Sequence, residues 1–370
     1  MDTKKIKLAY IVSSLVKEGP VQVILDIITN IDFNKFEVFI ITLAKEKKNS
    51  LEFEFQKFPL HIIKFDSANK FNFLYHYLKL SRFIKKNNIE IIHSHCFRSL
   101  IYCHLSKKEA KHIHTIHNNP TLQAVSLYGK ILGCTISLIT KILIKSNNCS
   151  IACSKSVATD LKEKDNIAVS YIANGVSIPL HQKFRKKDEI RKTLNLEDGV
   201  VYFLSIGRFS PEKNFQFLVK SFIDADLENS KLIILGDGKD YEKIKIIANQ
   251  NIILPGFKSN VYEYIKACNY YISASLTEGM PLSVLEAMAL GLPLILSDIP
   301  PHKEIFQQNK KIGILFQNSN KTNLIASLRE IYLKQNYNIL SDNAKKIFES
   351  YYTSKRMTTE YTELYRTLIK

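Results

Sequence analysis

The chain has 370 residues, room for two domains of ordinary size, and its 45% hydrophobic and 24% charged residues exclude wholesale disorder. Twelve Gly and ten Pro are too few for a collagen-like or low-complexity chain. Fifty-two Lys and Arg against 35 Asp and Glu give a net charge of +17, so the surface attracts polyanions: nucleic acid, anionic lipid head groups or nucleotide phosphates.

The N-terminal MDTKKIKLAYIVSSL carries basic residues and then a short apolar run. No small-residue cleavage site follows and KEGP interrupts the run, so it reads as a buried first strand rather than a signal peptide. Apolar runs then recur at 36–42, 89–95, 112–118, 149–154 and 169–174, and again at 201–207, 231–236, 251–256, 270–275 and 292–297. They are nearly continuous hydrophobics, as in strands covered on both faces. Helix-length amphipathic segments, such as FLYHYLKLSRFIKKN (73–87) and PLSVLEAMALG (281–291), lie between them. Two series of strand–helix alternation predict two doubly wound parallel α/β units. The boundary is expected near 179–200, where apolar patterning gives way to PLHQKFRKKDEIRKTLNLEDG. Segment 349–370 reads as a C-terminal helix.

Charge is unevenly spread: residues 1–180 hold 25 Lys and Arg against 14 Asp and Glu, and the rest hold 27 against 21. Six widely spaced Cys read as reduced thiols of a cytoplasmic protein. The longest apolar stretch, 131–144, contains Lys141 and is short of the ~20 residues a membrane span needs. The surrounding TLQAVSLYGKILGCTISLITKILIK (121–145) reads either as one amphipathic helix on an anionic membrane or as a core-packed helix.

Four segments carry chemistry. In SLTEGMPLSVLEAMALGLPLILSD (275–298) a strand enters a loop that opens a helix at Pro281. Gly279 permits close backbone approach, and the helix start offers N–H groups and a positive dipole end to an anion. Glu278 and Glu286 are placed to bracket a diphosphate and accept hydroxyl hydrogen bonds. In VYFLSIGRFSPEKNFQFLVKSF (201–222) a strand ends at Gly207, and Arg208 and Lys213 follow at its carboxyl end, where open α/β sheets bind ligands. A solvated pairing with Glu212 is the plain alternative. Gly19 lies in a third strand–loop–helix segment, where a simple turn is equally well supported. The fourth feature is histidine density: His93, His95, His104, His112, His114 and His117 lack acidic or Cys companions at metal-ligand spacing, and only His117, after the strand TIH, is expected to face a ligand, with a satisfied core histidine as its plain alternative. Asp224-Ala225-Asp226 lies at a helix end and reads as a solvated terminus.

Together, IIHSHCFRSL, TIHNNP, IACSKSVATDL, IANGVSIP, SIGRFSPEKNFQFLVKSF, ILGDGKDYEKI, LPGFKSNV and TEGMPLSVLEAMALGLPLILSD resemble glycosyltransferase family 4, retaining enzymes of the GT-B fold. The resemblance implies an acceptor-side Rossmann-like domain at 1–180 and a nucleotide-sugar-binding one at 181–348, with 349–370 packing back towards the first. Arg208 and Lys213 would stabilise the diphosphate leaving group. Glu278, with backbone N–H groups of Gly279, Met280, Leu282 and Ser283 around Pro281, would contact the donor sugar, and Glu286 would hold the ribose. Gly19 would lie near the diphosphate, His117 would hydrogen-bond the transferred sugar, and Gly256, Phe257 and Lys258 would read the base beyond Gly207. Asn174-Gly175 matches the family's inter-domain turn. Pro20, Ser177 and Asn214 depart from the family pattern. The implied reaction moves a sugar from a UDP- or GDP-type donor to a glycan or lipid-linked glycan, for surface polysaccharide, with no metal, cofactor or nucleic-acid partner, in the cytoplasm or at the inner membrane face. A nucleotide-sugar 2-epimerase on the same fold and a non-enzymatic polyanion binder are the rival readings.

Overall fold

The computed structural model describes residues 4–47, 49–65, 73–147, 149–179, 186–333 and 336–370. They form two compact units, Met1–Ser177 with Thr353–Lys370, and Ile178–Tyr352. The expected division between residues 180 and 181 lies outside the described residues.

In the first unit, strands β1 (Ile6–Val12), β2 (Phe36–Thr42), β3 (His61–Lys64), β4 (Ile91–Ser94), β5 (Lys111–Ile116), β6 (Ser150–Ala152) and β7 (Ser170–Tyr171) form one sheet in the order 3-2-1-4-5-6-7. In the second, β8 (Val201–Ile206), β9 (Ser230–Leu235), β10 (Ile252–Gly256), β11 (Tyr270–Ser273), β12 (Leu294–Ser297) and β13 (Gly313–Phe316) are ordered 10-9-8-11-12-13. Each pairing of these strands is parallel. Both units are therefore the doubly wound parallel α/β architecture that strand–helix alternation predicts, and each sheet reverses its winding once, between β1 and β4 and between β8 and β11. The central strands are apolar on both faces because helices cover both: Leu8, Ala9, Ile11, Leu204, Ile233 and Ile272 are fully buried.

Three local expectations need correction. The segment 121–145 is not one helix. Gly129, at φ +79°, separates helix Pro120–Tyr128 from helix Lys130–Ser146, a backbone conformation that favours glycine. The tail is not continuous from 349: residues to Tyr351 finish the helix Tyr337–Tyr351, and Thr353 then caps Ser354–Ile369 by accepting from the Arg356 amide. The helix 281–291 runs Leu282–Ala289, with Pro281 as its cap residue.

The helix Ser354–Ile369 belongs to the first unit and is tied there by a buried polar network. Tyr365 Oη meets Tyr10 Oη at 3.0 Å and His93 Nδ1 at 2.8 Å. His93 Nε2 meets Thr115 Oγ1 at 2.8 Å, and Thr115 meets Tyr361 Oη at 2.8 Å. The strands add Ser94 Oγ between His112 Nε2 (2.8 Å) and His114 Nδ1 (2.9 Å). Close packing seals the same junction, since a Cβ on Gly175 would stand 2.3 Å from the Thr353 carbonyl oxygen.

Burial holds these imidazoles neutral: His93 and His95 lie well below the usual histidine range, His112 falls to about 2 and His114 to about 4. In the unfolded chain they protonate near the ordinary value of about 6.5. The folded-state values are depressed, so the unfolded chain binds more protons as pH falls below that value, and stability is lost between about pH 6.5 and 4. Each such histidine removes about 1.4 kcal/mol per pH unit in that window. Thermal melting followed from pH 7 to pH 4 should show a steep fall in Tm; a flat profile would contradict the neutral buried layer.

Candidate active site

The carboxyl ends of β8 and β11 flank the point where the second sheet reverses its winding, the place where doubly wound sheets open a ligand crevice. After β8 the chain passes Gly207 and Arg208 and makes a single 3-10 turn, Pro211–Lys213. Asn214 then takes a left-handed conformation (φ 54°, ψ 37°) to start the helix Phe215–Ala225. Asparagine tolerates that conformation, so the departure from glycine leaves the turn intact.

The turn sends Lys213 back across the strand end. Its aliphatic stem lies so close to Gly207 that a Cβ there would stand 3.0 Å from the lysine Cε. Its Nζ donates to Glu278 Oε1 at 2.5 Å. Ser275 Oγ donates to the same oxygen at 2.8 Å, and the Leu276 amide donates to the Glu212 carbonyl at 2.8 Å, binding the loop after β11 to the turn after β8. The sequence offered a solvated pairing with Glu212 as the plain alternative for this loop; Lys213 itself pairs with Glu278. Burial alone would raise the Glu278 pKa, but the Lys213 charge and hydrogen bond, aided by His302 and Ser275, hold it below the usual carboxylate range. Behind it, Ser297 Oγ donates to the Ser275 carbonyl (2.7 Å), and His302 Nδ1 meets the Ser297 carbonyl at 2.8 Å. Burial lowers the His302 pKa to about 4.

Arg208 is exposed at the end of β8, while Gly279, Met280 and Pro281 are buried and Leu282 and Ser283 half-buried at the start of Leu282–Ala289. Pro281 gives this helix start no side-chain cap, which suits an end offered to an anion. Glu286, one turn further in, accepts from Tyr262 Oη at 3.3 Å. Tyr271 Oη donates to Ser283 Oγ at 2.7 Å.

Along the same edge the loops after β8, β9 and β10 pack backbone to backbone. Gly236, at φ +139°, would drive a Cβ to 1.9 Å from the Gly207 carbonyl oxygen, and its amide donates to the Gly256 carbonyl at 3.0 Å. Gly256 takes φ +76°, Phe257 is exposed and Lys258 half-buried. The second unit thus brings Gly207, Lys213, Glu278 and the 279–283 turn to adjoining strand ends, with Gly256–Lys258 on the flank. Sequence reasoning missed Tyr262, Tyr271, Ser275, Gly236 and His302. Only the glycine of ILGDGKD and the histidine of PPHKEIF offered a signal, each a lone residue after an apolar run.

In the first unit, Gly19 opens the helix Gly19–Ile28, is exposed, and has open space where a Cβ would stand. Pro20 follows as a normal first-turn proline. His117 follows β5, and its Nε2 meets His95 Nδ1 at 2.9 Å. Burial lowers the His117 pKa to about 3, so it is a neutral hydrogen-bonding group near pH 7. Asn174 is buried, and Ser177 meets Ser354 Oγ at 2.6 Å while its amide donates to Asp26. Asp224 pairs with Lys321. Among the described residues no group of His, Cys, Asp and Glu is arranged to hold a metal ion, and none of the cysteines is disulfide-bonded.

Two Rossmann-like units with a cation–carboxylate pair at the second sheet's switch point define a GT-B architecture. The comparisons agree: residues 18–178 match the family model Glycosyltransferase Family 4, and residues 186–347 match Glycosyl transferases group 1. The chain belongs to the glycosyltransferases that these two domains define. It is 27% identical to the O-antigen biosynthesis glycosyltransferase WclY of Escherichia coli, over 98% of this chain and 99% of that one. It is 26% identical to the UDP-Gal:alpha-D-GlcNAc-diphosphoundecaprenol alpha-1,3-galactosyltransferase of Escherichia coli, over 76% of each. Its fold superposes on Anabaena HepE in complex with UDP and glucose with a TM-score of 0.81 at 14% identity, over 98% of this chain and 100% of that one.

Breaking a largely desolvated ion pair from one side strands the other charge. Lys213→Met should therefore destabilise the protein more than the double variant Lys213→Met/Glu278→Gln. Chemical denaturation of the parent, both single variants and the double variant checks this, and losses that simply add would mean the pair is not coupled.

Proposed function

We propose that this glycosyltransferase moves a sugar from a nucleoside-diphosphate sugar, of UDP type, to a hydroxyl of a glycan or lipid-linked glycan, with retention of anomeric configuration and without a metal, in surface polysaccharide synthesis on the cytoplasmic side of the membrane. The Lys213–Glu278 pair carries the reading: a part-buried cation and an ionised carboxylate lie beside a helix start without a side-chain cap at a ligand-binding switch point. The activities of the relatives and the UDP-bound structural neighbour favour uridine and a polyprenyl or polysaccharide acceptor.

Cleaving the bond between the anomeric carbon and the diphosphate oxygen places the electron pair on the diphosphate and positive character on the sugar. Arg208 and Lys213, with the amides of Leu282 and Ser283, face the developing negative charge as preorganised donors. The acceptor hydroxyl attacks on the face that the diphosphate leaves, and its proton passes to the departing phosphate oxygen. Glu278, kept ionised by Lys213, accepts hydrogen bonds from donor-sugar hydroxyls. Glu286 does the same for the ribose, and neutral His117 hydrogen-bonds the transferred sugar. Gly19 and Gly279 let backbone approach the phosphates, and Gly256, Phe257 and Lys258 take the base.

Arg208→Ala removes an exposed side chain and should leave folding intact while lowering kcat by about 10²–10³-fold, the scale for one transition-state donor. Lys213→Ala should do at least as much. Turnover of a UDP-sugar panel with a lipid-linked acceptor, read as released UDP, measures both. Activity should persist in EDTA. Near-parental rates in both variants, or an epimerised donor as sole product when donor is supplied alone, would overturn the assignment.

A further inference from the structure

The helices Pro120–Tyr128 and Lys130–Ser146 form a hairpin whose packing is inverted relative to a core helix pair. Apart from Ile144, its inner face is small or polar. Gly133 stands so close to the preceding helix that a Cβ would lie 2.6 Å from the Val125 Cα, and Thr121 Oγ1 meets the buried Ser137 Oγ at 2.8 Å. The inner side is also anchored to the helix Lys155–Asp165: Asn119 Nδ2 donates to Asp160, and Lys141 pairs with Asp165 at 2.6 Å. Most of the large apolar side chains point the other way. Leu127, Tyr128, Ile131, Leu132, Leu138 and Ile142 are exposed, Ile131 by 88%. In the longer helix, Ile131, Leu138, Ile142 and Lys145 fall on one face at helical spacing.

Charge on this surface has one sign. From residue 110 to residue 159 the chain contains five lysines, at 111, 130, 141, 145 and 155, and no Asp, Glu or Arg. Lys130 and Lys145 are exposed at the two ends of the longer helix. That helix, about 25 Å long at 1.5 Å per residue, is shorter than the ~30 Å hydrocarbon core, and no helix among the described residues is long and apolar enough to cross a membrane. A second copy of the chain would bring lysines against lysines. An apolar ridge ended by cations fits instead a plane that is apolar inside and anionic at its rim.

We infer that the 120–146 hairpin is the membrane-docking surface of the protein, lying in the interface of an anionic bilayer with its apolar ridge among the acyl chains and Lys130 and Lys145 at the lipid phosphates. This goes beyond the transferase reading and does not depend on it, because docking requires neither donor nor catalysis. The Gly133 and Ser137 contacts turn the ridge outward as a rigid element.

The test is co-sedimentation of the full chain with vesicles of phosphatidylcholine alone and of phosphatidylcholine with one-quarter phosphatidylglycerol. Binding is expected to the anionic vesicles and to weaken with salt. The variant Ile131→Gln/Leu138→Gln/Ile142→Gln and the variant Lys130→Gln/Lys145→Gln should each lower the partition coefficient at least about tenfold with Tm unchanged, since the altered side chains are exposed. UDP release with a water-soluble acceptor should be unchanged in both, which separates failure of docking from failure of the transferase reading. No binding by the parent protein, or full binding by the apolar variant, would overturn the inference. So would a concentration-dependent dimer in sedimentation velocity that the apolar variant abolishes, since that would assign the ridge to a second copy.

Discussion

The constraint on which the second unit's site depends is the burial of opposite charges at neighbouring strand ends. Lys213 and Glu278 are 65 residues apart, yet both leave the sheet where its winding reverses, and the 3-10 turn after β8 aims the ammonium at the carboxylate. Burial alone would push the Glu278 carboxyl towards its protonated form, and the Lys213 charge holds it ionised. Together they keep their charges out of water at the place where the sheet is open to a ligand. The tight glycine contacts around them, Gly207 under the lysine stem and Gly236 against Gly207, let the backbone come close enough for that pairing.

Much of this was legible in the sequence because buried parallel strands advertise themselves as apolar runs, and the loops at their carboxyl ends hold the chemistry. The two strands that sequence patterning passed over, β3 and β13, both lie at sheet edges. HIIK has exposed ends and only half-buried isoleucines, and GILF opens on a glycine whose Cβ would strike the Leu294 carbonyl at 1.9 Å. Neither presents the long two-faced apolar run of a central strand. The break at Gly129 is a single residue whose conformation is decided by how the two flanking helices pack, which composition does not reveal.

The site was legible to a different depth. Arg208, Lys213, Glu278 and Glu286 stand out because charged residues interrupt apolar contexts at fixed spacing. The partner of Lys213 does not, because Glu212 is the nearer carboxylate in sequence and only the geometry of the turn decides between them. Tyr262, Tyr271 and Ser275 read as ordinary strand and helix residues until their hydroxyls are placed. The histidines are the converse: their density looks like ligand chemistry, but parallel pairing sets His112 opposite Ile92 and His114 opposite Ser94, and Ser94 Oγ meets one nitrogen of each ring.

The return of the helix Ser354–Ile369 to the first unit orders events during synthesis. A ribosome delivers the first unit's seven strands long before Tyr361 and Tyr365, and the whole second unit emerges in between. Until those tyrosines arrive, Tyr10, His93 and Thr115 lack the hydroxyls that complete their hydrogen bonds, and the first unit waits unfinished. A helix translated after the second unit is thus the latch that completes the hydrogen bonding of strands translated before it.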